Sequence, residues 1–227
     1  MKVRNINSKV NNTSFKAKEF AVVDVAIKGV AHSFKVYSLD YDDRVFLDTM
    51  SSNIKLKALT LGSGIKDGIL RTWKRIINNA VLMSGFTTPQ KSFLFVEGNK
   101  PCGIITYKEM TDSYLDNVAA WPVAQNKFVK YTGLSMLKFL FYNCEKANVK
   151  RIGLDVISKS HIDLYNFYSK LGFIKNLGTE RTFMTDLYIP RGRMIEYSKQ
   201  LDSFIKVKEI ESPKSVNLKK ITNINYT

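Results

Sequence analysis

The sequence predicts an α/β (α+β) fold: a mixed, mostly antiparallel central sheet flanked by helices. Three observations lead there. Between Ser92 and Phe173, short apolar runs rich in β-branched and aromatic residues alternate with segments whose apolar residues recur at helical spacing. A separate stretch, Ile69–Ser84, has the periodicity of an amphipathic helix. The chain has 227 residues, 44% of them hydrophobic, which is enough for one core that needs no disulfides.

Taken in order, Met1–Lys18 is polar and basic and reads as an extended arm. Phe20–Ile27 and Ser33–Leu39 read as strands separated by Gly29. Tyr41–Met50 is a helix, with Asp40 as its N-cap and acidic residues in its first turn. Asn53–Leu61 alternates weakly and reads as a short strand or a loop. Leu61–Gly68 carries three glycines and reads as a loop; a G-x-G without a strand before it is a weak phosphate signal. In Ile69–Ser84, Ile69, Leu70, Trp73, Ile76, Ile77, Ala80 and Val81 form one face, and Arg71, Lys74, Arg75 and Asn78 the other.

Ser92–Glu97 and Cys102–Tyr107 are the arms of a hairpin turned by Gly98-Asn99-Lys100-Pro101. Tyr114–Val123 is a further strand, and Pro122, which cannot donate to a ladder, marks where its pairing stops. A basic loop, Ala124–Gly133, feeds a helix at Leu134–Lys146. Arg151–Ile157 is a strand of buried type, and His161–Leu171 is a helix stopped by Gly172. Arg181–Ile189 reads as a final strand and Arg191–Phe204 as an extra helix. The expected organisation is a basic arm (1–18), one domain (19–205) and a Lys/Asn-rich tail (206–227) that is ordered only if it docks.

Composition bounds the partners. With 35 Lys+Arg against 20 Asp+Glu, the net charge of +15 predicts an anionic partner: a cofactor, nucleic acid or an acidic protein surface. Cys102 and Cys144 fall inside a predicted strand and helix, as buried free thiols in a reducing compartment. No signal-like run opens the chain, and nothing approaches the ~20 apolar residues of a membrane span. A soluble, cytoplasmic protein is expected, with no membrane partner. Two histidines and two distant cysteines make no metal site.

A strand that loses its partner at Pro122 offers unpaired N–H and C=O groups to an extended ligand. The helix N-terminus after the loop favours an anion such as a phosphate. Together they suit a long, thin cofactor with a pyrophosphate at one end and amides along its arm, the shape of coenzyme A.

The same residues resemble the GNAT superfamily of N-acetyltransferases, over about 92–175 and more loosely over Ala31–Leu82. Phe167–Phe173 (FYSKLGF) is similar to the family's helix-ending L-Y-x-K-x-G-F signature, after the L-x-V strand Leu154-Asp155-Val156. The hairpin FLFVEGNKPCGIITY resembles the family's central hairpin, and Val118–Pro122 (VAAWP) its L-A-V-x-P strand end. Against the pyrophosphate pattern Q/R-x-x-G-x-G/A, the register Phe128–Gly133 keeps only Gly133.

The resemblance implies a V-shaped strand splay at the cofactor site and acetyl transfer from acetyl-CoA to an amine. The acceptor would be carried by a protein, a nucleic-acid-associated molecule or a small molecule. It implies that Tyr168 protonates the leaving sulfur. It places His161 where the family often has Asn, to hydrogen-bond the pantetheine arm or act as acid/base. Asp116 and Glu97 are strand-borne candidates for the base that deprotonates the amine. The backbone of Val118, Ala119, Ala120 and Trp121 would pair with pantetheine. Amides of Lys130, Tyr131, Thr132, Gly133 and Leu134 would hold the pyrophosphate, with charge from Lys127 and Lys130. The alternative is a catalytically divergent module of the same fold that binds or modifies nucleic acid, or binds a protein partner.

Overall fold

The computed structural model describes residues 17–55, 63–82, 90–124, 127–157, 164–177 and 184–226. Most of the basic arm and the candidate His161 lie outside the described residues. Among the described residues nine strands form one sheet: β1 (Lys18–Ile27), β2 (Val30–Ser38), β3 (Gln90–Glu97), β4 (Lys100–Lys108), β5 (Asp112–Ala120), β6 (Arg151–Ile157), β7 (Ile174–Lys175), β8 (Met184–Pro190) and β9 (Ile205–Glu209). Their order is β7-β8-β6-β5-β4-β3-β2-β1-β9. All neighbours run antiparallel except β5 and β6, which are parallel. The helices are α1 (Arg44–Asn53), α2 (Ser63–Asn79), α3 (Thr132–Lys146), α4 (Leu164–Ser169), α5 (Arg191–Leu201) and α6 (Leu218–Ile221).

Two cores lie on either side of the sheet, and β3 shows why. Its apolar run is continuous because alternate residues face opposite ways. Phe93 and Phe95 enter the core built with α3, α4 and α5. Leu94 and Val96 enter the core built with α1 and α2. In the first core Phe139 of α3 meets the Phe93 ring at 4.8 Å and the Phe95 ring at 5.6 Å, both edge-on. The buried Lys138 ties α3 to α5. Its Nζ donates to the Ser198 carbonyl at 2.8 Å and hydroxyl at 2.7 Å, and pairs with Asp202 at 2.9 Å.

Asp40 caps as expected, accepting the Asp42 N–H at 2.9 Å, while Asp43 reciprocates to the Asp40 N–H at 3.0 Å. The capped element is a single 3-10 turn, Tyr41–Asp43, that runs on into α1.

Two expectations are corrected. The glycine-bearing segment 63–68 is the first part of α2, not a loop. Ile65 continues the helical spacing of Ile69, and Gly64 and Gly68 sit in open space. Arg181–Ile189 is not the last strand either. Chain beyond residue 205 adds β9 along β1, from Ala21↔Glu209 to Val25↔Ile205. The tail then docks: Leu218 is fully buried in the second core, where Val216 and Ile224 also pack. Alternating Lys and apolar residues in Ile205–Glu209 are the pattern of a half-exposed edge strand.

Candidate functional site

The site begins where two strands part. β5 and β6 pair over only three residues: Asp112↔Arg151, Ser113↔Ile152 and Tyr114↔Gly153. Beyond them β5 continues to Ala120 and β6 to Ile157 with no further pairing between them. β4 holds the other edge of β5 as far as Gly103↔Ala120. Among the described residues, the side of Leu115–Ala120 that faces β6 is therefore a free strand edge. Trp121 donates its N–H to Cys102 O of β4, so by alternation Val118 and Ala120 turn their N–H and C=O groups to the open side.

After Ala120 the chain passes Trp121 and the buried Pro122, closes a tight bridge between Ala124 and Lys127, and enters α3. Tyr131, the N-cap of α3, is left-handed (φ 65°, ψ 9°) and gives no side-chain cap. The first helical bond is Ser135 N–H to Tyr131 O, at 2.8 Å. Thr132 turns its hydroxyl back to Val129 O at 2.9 Å. The first-turn amides of Thr132, Gly133 and Leu134 thus have no side-chain cap, and at Gly133 nothing lies within 4 Å of where a Cβ would stand. Tyr131 occupies the position at which the pyrophosphate pattern has its first glycine. A left-handed residue is what a glycine there would supply at no steric cost.

Gly103 of β4 brings this helix tip onto the sheet. A Cβ at that residue would lie 2.8 Å from Thr132 Cγ2, 3.1 Å from Met136 Sδ and 3.2 Å from Ala119 O. The first turn of α3 and the end of β5 are both seated on that missing side chain.

The candidate base Asp116 lies at a bulge. The register steps from Thr106↔Asn117 to Tyr107↔Leu115, leaving Asp116 as the extra residue of β5. Its Oδ1 is 3.7 Å from Lys108 Nζ, and its Oδ2 is buried with no hydrogen-bond partner among the described residues. Burial raises the Asp116 pKa, with Lys108 opposing.

Asp116 shares the sheet face opposite α3 with residues that the sequence reading did not single out. Tyr114 lies against Gly153 of β6 and hydrogen-bonds the Asp155 carboxylate; burial, first, and that bond hold its hydroxyl protonated. Asp155 stands directly across from Asp186 of β8. Like charges opposed in this way destabilise a strand pair. The signal was present in the sequence: in RIGLDVI the apolar Ile152, Leu154 and Val156 alternate with Gly153 and Asp155.

The candidate acid Tyr168 sits on α4 in the first core, 8% exposed, its ring 5.5 Å from that of Phe173. Its hydroxyl makes no hydrogen bond among the described residues, and burial pushes its pKa up to about 12. Gly172 (φ 88°) ends this turn, and Tyr197 of α5 closes over it.

Glu97 is placed elsewhere. It pairs with His32 Nδ1 at 3.1 Å and is separated from β5 by β4. Lys127 and Lys130 are exposed on the loop leading to α3.

No protein-family model matches the sequence, and no curated protein matches it. Among solved structures the chain is similar to many acetyltransferases of the GNAT fold. One is a nucleotide-linked sugar GNAT, FdhC in its apo form, with 15% identity, 75% of this chain and 94% of that one covered, and a TM-score of 0.51. Another is the PaiA N-acetyltransferase of Thermoplasma acidophilum in complex with coenzyme A, with 15% identity, 69% and 98% covered, and a TM-score of 0.49. A third is the ribosomal-protein-S18-alanine N-acetyltransferase of Escherichia coli, with 16% identity, 69% and 93% covered, and a TM-score of 0.46. The fold is that of the GNAT acetyltransferases: a mixed, mostly antiparallel sheet flanked by helices.

Proposed function

We propose that the protein is an acyl-CoA-dependent N-acyltransferase, with acetyl-CoA as donor and an amine as acceptor. The observation that carries this reading is the early parting of β5 and β6 beside the uncapped tip of α3. The residues fit coenzyme A in both its parts. The open edge at Val118 and Ala120 offers the amide and carbonyl groups that an extended pantetheine arm pairs with. The amides of Thr132–Leu134 would receive the cofactor's pyrophosphate at the positive end of a helix of 15 residues. Lys127 and Lys130 add charge beside it. Acetyl-CoA, when bound, would supply the acyl group as an activated thioester.

The chain's own residues supply the rest. An acceptor amine arrives as an ammonium and must lose a proton before it can attack. Asp116, a carboxylate whose Oδ2 is buried and has no hydrogen-bond partner among the described residues, takes that proton directly or through water. A positively charged acceptor is drawn to this face by Asp116, Asp155 and Asp186, although the protein as a whole carries +15. The Tyr168 phenol, held protonated by burial, gives its proton to the departing thiolate on the α4 side and regains one, through water, from the second proton that the attacking nitrogen sheds as the adduct collapses.

Titrating the purified chain with coenzyme A in a calorimeter, then incubating it with labelled acetyl-CoA and a panel of polyamines and peptides, tests the reading. Saturable binding and labelled amide product are expected. No heat at millimolar coenzyme A would end it.

A further inference from the structure

The open edge of β5 can serve a ligand only if the strand end stays in place. Trp121, the first residue beyond β5, is fully buried. Its backbone N–H donates to Cys102 O at 3.1 Å, and its indole N–H donates to Pro101 O at 2.9 Å. Tyr226 reaches the same place from the far end of the sequence. Its hydroxyl donates to Pro101 O at 3.2 Å and accepts from the Trp121 indole at 3.2 Å. The Tyr226 ring is 5% exposed and packs in the second core beside Trp121. The segment that carries it is fixed along the way: Val216 N–H to Ala17 O at 2.8 Å, and Asn223 N–H to Asn99 O, in the β3–β4 turn, at 2.6 Å.

We propose that Tyr226 is a positioning residue for the ligand groove, acting through Trp121 on the end of β5. This rests on the reading of that edge as the cofactor's. The Pro101 carbonyl has two lone pairs, and the indole and the phenol between them use both. The ring of Tyr226 also fills the space next to the indole. Without it Trp121 has room to turn, and the last residues of β5 are held by backbone bonds to β4 alone. A strand end tied on one side frays, and an edge that frays presents its amides to a ligand only part of the time.

The test compares the full chain with Tyr226→Phe and Tyr226→Ala by site-resolved amide hydrogen exchange and by calorimetry with coenzyme A. In Tyr226→Ala, exchange at Ala119 and Trp121, whose amides face β4, rises about tenfold or more while Leu154 and Leu187 are unchanged, as local opening dictates. Coenzyme A then binds about tenfold more weakly. Tyr226→Phe keeps the ring and the Trp121–Pro101 bond, and stays close to the parent on both measures.

Three results overturn the proposal. Exchange at Ala119 and Trp121 that does not change is one. Exchange that rises alike in every strand, as for any core residue, is another. The third is local fraying with undiminished affinity. If the parent chain binds no coenzyme A, the cofactor reading falls, and the exchange data still decide whether Tyr226 holds the strand.

Discussion

Asp116 and Tyr168 stand on opposite faces of the sheet, on elements flanking the gap between β5 and β6, and in the proposed reaction their titrations would set the pH dependence. The Asp116 carboxyl is raised by burial, so it accepts a proton only above that raised value. Activity should climb with pH through it, and Asp116→Asn should remove that acidic limb and lower kcat by about 10²-fold, typical of a lost general base. Tyr168, at about 12, stays protonated through any working pH, so no alkaline loss of rate should trace to it below that value. Tyr168→Phe should lower kcat with little change in coenzyme A affinity. Pre-steady-state and steady-state kinetics at several pH values separate these effects.

Asp43 makes a prediction about stability. It is fully buried, and burial, with Asp40 and Asp42 nearby, raises its pKa from 3.8 to about 6. A carboxyl raised on folding contributes stability that is full below 3.8 and lost as pH rises through 6. Asp43→Asn keeps an acceptor for the Asp40 N–H and abolishes the buried charge. Urea denaturation should find it more stable than the parent by about 1–3 kcal/mol at pH 8. At pH 4 the two should be nearly equal.

At the scale of elements, the seat of α3 on Gly103 is the most exposed dependence. Gly103→Ala places a methyl 2.8 Å from Thr132 Cγ2, so the helix tip or the strand must give. A loss of about 1–3 kcal/mol is expected from overpacking, together with weaker coenzyme A binding. Adding Thr132→Ser removes the clashing methyl and keeps the hydroxyl that bonds Val129 O, so stability should partly return. Gly68 is the opposite case: inside α2 with nothing within 4 Å of a new Cβ. Gly68→Ala should raise stability by about 0.5–1 kcal/mol in thermal denaturation, because alanine loses less conformational entropy in a helix.

These two glycines also show what a sequence does and does not disclose about elements. Glycine signals a loop by its backbone freedom, but Ile65 and the burial of Ile77 and Val81 pull the segment into α2. Arg151–Ile157 was legible to the residue because its apolar alternation is strong and Lys150 and Ser158 flank it. The bulge at Asp116 and the left-handed Tyr131 were not legible, since each is set by the neighbouring strand or helix rather than by local propensity.

Over the whole molecule, the sheet flanked by helices could be foreseen from the hairpin, and the splay from the resemblance carried by the F-Y-S-K-L-G-F run; Pro122 did not mark it, since β5 and β6 already part after Tyr114. The partners of that splay could not. Tyr226 meets Trp121 from 105 residues away, and Asp155 meets Asp186 only once β6 and β8 are in register. Such contacts depend on topology and leave no periodicity to read. Ligand binding acts at this scale too: a cofactor at a hundred times its Kd adds about 2.7 kcal/mol to stability.

The central claim is that the edge of β5 left open by β6 holds an extended ligand through its backbone. Amide hydrogen exchange of Val118 and Ala120, with and without coenzyme A, measures this most directly. Both amides should become protected on saturation, together with those of Thr132–Leu134 at the tip of α3. Saturable binding that leaves Val118 and Ala120 exchanging as fast as before would contradict it.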